Sequence, residues 1–120
     1  MTEKGGVQSV ERIFQLIEQL ELAIITGEYP PGEKIPGVRD LAAQAQVNPN
    51  TMQRALAELE ARGLLETQRT AGRTVTSDTE KLAQARQSLA RKLVHDFYRQ
   101  ASALGLTKAE LAALLEQEEG

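Results

Sequence analysis

The sequence predicts a mainly α protein with a small β-hairpin: a winged helix-turn-helix followed by a two-helix tail. Three observations lead there. Two short helical patterns, Val38 to Ala45 and Thr51 to Leu59, are separated only by the break at Gln46 to Pro49. A strand-turn-strand pattern, Leu64 to Thr76, follows at once. Beyond it lie two more helical patterns, opened by the capping-box sequences Ser77-Asp78-Thr79-Glu80 and Thr107-Lys108-Ala109-Glu110.

The bulk numbers allow this architecture. A chain of 120 residues holds one domain, or one small domain plus an appendage. Its 41% hydrophobic and 26% charged content fits a folded protein. There is no cysteine, hence no disulfide framework or thiolate metal site, and a reducing cytoplasm is the expected compartment. No run approaches the length of a membrane span, and the N-terminus lacks a signal pattern. The net charge of −3 argues mildly against nucleic acid. Its distribution does not: Asn48 to Ala57 holds no acid and one base, Arg54, whereas Glu110, Glu116, Glu118 and Glu119 crowd the end.

In chain order, Met1 to Gly6 is expected to be loose. The first helix is expected from about Ser9 to Thr26. Val10, Ile13, Phe14, Ile17, Leu20 and Ile24 draw one apolar stripe along it. Leu16 and Ile25 fall off that stripe and are free to face a partner. Gly27 suits a left-handed C-cap. Tyr29-Pro30-Pro31-Gly32 cannot be helical, so an extended crossing with room for a short strand leads to Ile35-Pro36 and the second helix. Val47 reads as a buried hinge. Asn48 is a good N-cap with Pro49 at the first helical position, and the third helix runs to about Arg62, where Gly63 ends it. Leu64 to Arg69 reads as a strand, Thr70-Ala71-Gly72 as a turn and Arg73 to Thr76 as the return strand: the wing. Ser77 is the expected cap of a long helix, about Asp78 to Ala103, with Gly105 ending it. The apolar seam Leu82, Leu89, Leu93, Phe97, Leu104, continued by Leu111 and Leu114 of the last helix, is too large to bury within this chain. A second copy is the economical cover, which makes this a dimerisation tail.

In a helix-turn-helix the second helix enters the major groove and its first turn meets base edges. That turn carries Asn48, Asn50, Thr51 and Gln53, and Asn and Gln match adenine's donor-acceptor edge. Each position has a plainer reading. Asn48 caps its helix, a role compatible with contact. Asn50 and Thr51 can simply be solvated. Arg39 binds phosphate, or pairs with Asp40 or Glu33. Arg54 contacts DNA or pairs with Glu58. Arg69 and Arg73 bracket the wing tip, suiting backbone or minor-groove contact, or guard a strand edge. His95, the one histidine, has no metal-ligand spacing around it. Phe97 and Tyr98 read as packing, with an effector contact as the alternative. No cofactor is expected.

Taken together, GEYPPG (Gly27 to Gly32), Ile35 to Ala42, Val47 to Leu56, Leu59, Gly63-Leu64 and the wing Thr70 to Val75 resemble the GntR family of bacterial transcription regulators, within it the short YtrA-type subfamily. The resemblance covers about Val10 to Thr76 and extends more weakly into the tail. It implies a homodimeric repressor on double-stranded DNA with a near-palindromic operator. It places residues 8–76 as the DNA-binding domain and residues 77–120 as the dimerisation and effector region. By the same resemblance Arg39 matches a phosphate-gripping arginine, Asn48, Asn50, Thr51 and Gln53 match recognition positions, and Gly72 matches the wing-tip glycine beside Thr70. Three departures stand out: the family commonly has Ser where Gly37 stands, often has a basic residue where Gln53 stands, and often has two glycines around a basic residue in the wing, where Arg73 here follows the single Gly72. An effector, if one acts, has room only at the dimer interface or beside the tail, and control of transporter genes is implied by resemblance alone. A protein–protein adaptor is the alternative, suited by the acidic total and leucine-rich tail. An enzyme ranks last, for want of a triad, a phosphate loop or paired acids in a cleft.

Overall fold

The computed structural model describes the backbone of residues 2–70 and 72–120, with side chains from residue 10 onward except at 71. Five helices and one hairpin follow in the expected order. They are α1 (Thr2–Ile25), α2 (Val38–Ala45), α3 (Pro49–Ala61), β1 (Leu65–Gln68), β2 (Gly72–Val75), α4 (Thr79–Ala103) and α5 (Lys108–Glu116). The chain divides into two compact units, residues 1–85 and 86–120. None of the described helices is long and apolar enough to cross a membrane.

The first unit is built around α3, which packs on α1, α2 and β1. Met52, Ala55, Leu56 and Leu59 recur at three- and four-residue steps and are fully buried. They meet Leu16, Ile17, Leu20 and Ile24 of α1, Leu41 and Ala42 of α2, and Leu64, Leu65 and Val75 of the wing. Val38, Val47, Leu82 and Ala85 pack at the edge of this core.

Helix α1 corrects the sequence reading twice. It starts at Thr2, so Gly5-Gly6 lies within the helix, not in a loose segment. Its core stripe is rotated: Leu16, expected off the stripe, is 1% exposed, whereas Phe14, expected on it, is 63% exposed and Val10 is exposed too. Ile13, Ile17, Leu20 and Ile24 keep their places near the core. Arg12 donates from Nη2 to the Ala45 carbonyl at 2.7 Å, tying α1 to the last turn of α2. A cation is well placed at that helix end, where unpaired carbonyls gather.

The turn between α2 and α3 is sharp because Gln46 lies in the left-handed region, φ 57° and ψ 48°. The amides of Gln46 and Val47 then return to the carbonyls of Ala43 and Ala42, the pattern of a Schellman cap. Such a conformation costs an L-residue about 1–2 kcal/mol, and glycine escapes it at an entropic cost of about 0.5–1. Gln46→Gly is therefore expected to stabilise the fold by roughly 0.5–1 kcal/mol. Urea unfolding followed by circular dichroism checks it; a loss of stability would mean that the Gln46 side chain supports the turn.

The extended crossing does add strand pairing: Lys34 bridges Thr74, and Gly32, Glu33 and Ile35 bond to the backbone of β2. The hairpin is antiparallel, with Leu65 opposite Val75 and Thr67 opposite Arg73. The first strand is shorter than expected, and the return strand keeps its length but starts one residue earlier, so that Gly72, expected in the turn, opens β2 with φ 79°. Ala71, expected in the same turn, lies outside the described residues. Where the chain leaves the wing, Thr76 is buried and its hydroxyl joins Glu66 to the Asp78 amide. Asp78 caps α4 by accepting from the amides of Glu80 and Lys81, so the cap expected at Ser77 falls one residue later.

In the second unit, α5 opens with the expected capping box, Thr107 and Glu110 bonding reciprocally. Gly105, at φ 89°, turns the chain between the helices. Ala101 and Leu111 are buried there, whereas Leu93, Val94, Phe97, Leu104, Leu114 and Leu115 are exposed.

Candidate nucleic-acid interface

Helix α3 presents two opposite faces. With about 3.6 residues per turn, Asn50, Gln53, Arg54 and Ala57 form a stripe directly away from the buried one, and all four are exposed. Thr51 flanks that stripe, half-buried. The helix begins with Asn48 in extended backbone, its Oδ1 accepting from the Asn50 amide at 2.8 Å. One oxygen thus satisfies an orphan donor of the first turn, and the Nδ2 amide group remains for an outside acceptor. Pro49 follows at the position where a missing amide hydrogen costs nothing.

The cations around this face divide into two sets. Arg39, on the first turn of α2, Arg54 on α3 and Arg69 at the wing tip are exposed and make no ion pair among the described residues. The alternatives that pair Arg39 with Asp40 or Glu33, and Arg54 with Glu58, are not what the structure holds: Glu58 pairs with Arg62 at 2.9 Å. Arg62 reaches further to Glu21 on α1 at 3.4 Å and so braces the core side of α3. Arg73 belongs to the second set. Its Nη2 lies 3.4 Å from Glu60 Oε1, and its side chain is only 16% exposed.

At the wing, Thr70 and Gly72 are exposed beside Arg69. A Cβ built at Gly72 would sit 3.5 Å from Lys34 Cε, an ordinary contact, so glycine is required there by its positive φ and not by lack of space. The same measurement locates a cation that the sequence reading missed. Lys34, exposed, lies alongside Gly72 because its segment pairs with β2. Nothing in Gly32-Glu33-Lys34 announces that register; only the bridge to Thr74 does.

The described surface around α3 and the wing thus offers uncharged donor-acceptor side chains at its centre and unpaired cations at its margins. Bacterial regulatory proteins of the gntR family match residues 12–75, which spans α1, the helix-turn-helix and the wing. The chain belongs to the gntR family. Across 87% of its length it is 37% identical to YhcF, an uncharacterized HTH-type transcriptional regulator of Bacillus subtilis (strain 168), covering 87% of that protein. It is also 38% identical over 55% of its length to YtrA, an HTH-type transcriptional repressor of the same organism, covering 51% of it. Among solved structures, a GntR family transcriptional regulator from Listeria monocytogenes superposes with a TM-score of 0.80 at 34% identity, over 89% of this chain and 94% of that one. The DNA-binding domain of AraR, solved in complex with operator ORR3, superposes with a TM-score of 0.51 at 30% identity, over 53% of this chain and 77% of that one. This gntR-family chain is thus a helix-turn-helix transcription regulator, and the winged-helix architecture read from its sequence holds.

The tail residues read as one seam have different surroundings. Leu82 packs at the edge of the first unit's core, and Leu111 is buried between the helices of the second. Leu89 is half-buried. Leu93, Phe97, Leu104 and Leu114 remain exposed, Leu104 at 81%. His95, with Tyr98 and Lys108 nearby, lines a cleft between α4 and α5. The Lys108 ammonium stands 5.5 Å from the centre of the Tyr98 ring.

Proposed function

We propose that this regulator binds a near-palindromic operator as a homodimer and represses transcription by occupying it. The observation that carries the reading is the outward stripe Asn50, Gln53, Arg54 on α3, opposite the buried stripe and free of acids. Asn48, Asn50, Thr51 and Gln53 read base edges, and Arg54 reaches bases or phosphate. Arg39 neutralises phosphate at the start of α2. Arg69, Thr70 and Gly72, joined by Lys34, carry the wing to the adjacent minor groove.

Residues 8–76 form the DNA-binding part and residues 77–120 the dimerisation part. Support for a dimer is the exposed Leu93, Phe97, Leu104 and Leu114, which water would otherwise cover. A second copy sets two recognition helices a fixed distance apart, so half-sites fall roughly 10 bp apart or a multiple of it. A small-molecule effector has its place in the cleft lined by Val94, Tyr98 and Leu115. Repression is supported by the name of the relative YtrA, and DNA as ligand by the AraR complex. Control of transporter genes from the cytoplasm is carried over from YtrA-type regulators by resemblance.

The test is selection of bound duplexes from a random pool at stated salt, followed by affinity measurements on the winner. A two-fold-symmetric consensus is expected. Arg39→Ala should weaken consensus and scrambled duplexes alike and lower the slope of log K against log salt by about 1. No enrichment by folded protein would sink the reading and bring forward the adaptor, for which the exposed apolar residues of α1 and the tail would be partner surfaces.

A further inference from the structure

We infer that Glu60 is a positioning residue that sets the wing against the recognition helix, and that Arg73 serves this strut and not the DNA phosphates; the inference rests on the DNA-binding reading above. Glu60 lies near the C-terminal end of α3, two turns beyond Gln53 and on nearly the same side of the helix, half-buried against the hairpin. Its carboxylate accepts from two strands at once. The Thr67 hydroxyl of β1 donates to Oε2, and the Arg73 guanidinium of β2 donates to Oε1 at 3.4 Å. Thr67 and Arg73 are direct cross-strand partners in the hairpin register. One side chain of the recognition helix therefore holds a matched pair of wing residues.

Both ends of the ion pair are shielded, Arg73 to 16% and Glu60 to 26% exposure, so solvent screens it less than an ordinary surface pair. Arg73 Nε is buried with no hydrogen-bond partner, so that edge of the guanidinium faces protein and not solvent. To reach a phosphate Arg73 would have to give up Glu60 and strand a carboxylate beside the DNA. The free cations of the wing are Arg69 and Lys34. The division of labour follows: these two meet the backbone, and Glu60 fixes the angle at which they arrive. Angle matters because a winged helix reads with the helix and the wing together, and a tip misplaced by an ångström loses its contacts.

The experiment compares Glu60→Gln, Glu60→Asp and Arg73→Met with the wild type. Affinity for the selected consensus and for a scrambled duplex is measured, together with amide hydrogen exchange of residues 66–68 and 73–75 in the free protein. The strut predicts roughly 3- to 10-fold weaker consensus binding for Glu60→Gln, although it removes a negative charge. Glu60→Asp should behave similarly, because it keeps the charge and loses the reach. Adding Arg73→Met to Glu60→Gln should cost little more than either change alone. Wing amides should exchange faster in both Glu60 variants, with the α1–α3 amides unchanged. Tighter DNA binding by Glu60→Gln would overturn the inference and make Arg73 a masked phosphate contact. Wing exchange equal to wild type in both variants would overturn it as well. If wild-type protein binds no duplex, the function proposed above fails, and exchange at the wing still decides whether Glu60 is the strut.

Discussion

Truncating Leu56 to alanine is expected to destabilise the helix-turn-helix unit by about 3–5 kcal/mol. Leu56 is 0% exposed, on the one helix that packs on α1, α2 and β1. Removing its isobutyl group takes away apolar burial and leaves a cavity that helices held on three sides cannot close. Domains of this size hold only about 5–15 kcal/mol in total, so the loss is a large share of what there is. Urea unfolding at fixed protein concentration measures it, since the proposed dimer would tie stability to concentration. The midpoint should fall sharply with an unchanged slope. A proper control is Gln53→Ala on the opposite, exposed face of the same helix, which should leave stability within about 0.5 kcal/mol. A loss of less than about 1 kcal/mol for Leu56→Ala would contradict the burial assigned to this helix. DNA binding by the variant should fail in proportion to the unfolded fraction, because the residues that face away from the core are untouched.

The contrast between those two faces was legible in the sequence, and the reason is local. Met52, Ala55, Leu56 and Leu59 keep helical spacing, Asn48-Pro49 is a start signal, and Gly63 is a stop signal with φ 81°. Each needs only neighbours a few residues away. Helix α1 was harder for a physical reason. It carries more apolar residues than one face can bury, so two overlapping stripes fit the same periodicity. The spacing alone cannot choose between Leu16 and Phe14; the packing of α3 chose Leu16. The cap of α4 was missed by one residue because Ser77 and Asp78 are both good caps, and the Thr76 hydroxyl holding the Asp78 amide favours the second.

The site divides the same way. Asn48's oxygen on the Asn50 amide follows from the capping preference. Lys34 beside Gly72 and Glu60 under the wing do not, because they are set by pairing between segments far apart in the chain. Arg73 illustrates the difference: by composition it is one of two arginines at a hairpin tip, by structure it is half of an ion pair thirteen residues long in sequence separation.

Replacing Asn50 with alanine is expected to erase preference at one base position per half-site, a change of about 1–3 kcal/mol in discrimination. Its backbone amide is already committed to Asn48, but its side chain is exposed and makes no hydrogen bond among the described residues. The carboxamide therefore keeps one donor and one acceptor for a base edge, the pairing that adenine's N6 and N7 complete in the major groove. The measurement is a matrix of affinities: wild type and Asn50→Ala, each against the selected consensus and every single-base substitution of one half-site. For the wild type, the substitution at the position Asn50 reads should cost about 1–3 kcal/mol, and for the variant close to nothing. Other positions should keep their costs, since Gln53 and Asn48 remain. Weaker binding that is equal for all sequences would move Asn50 to the phosphate backbone. The cap separates this result from trivial unfolding. Asn50→Ala leaves the Asn48 oxygen on the same backbone amide, so α3 should stay intact, whereas Asn48→Ala would remove the cap and lose about 0.5–2 kcal/mol of stability together with any contact it makes.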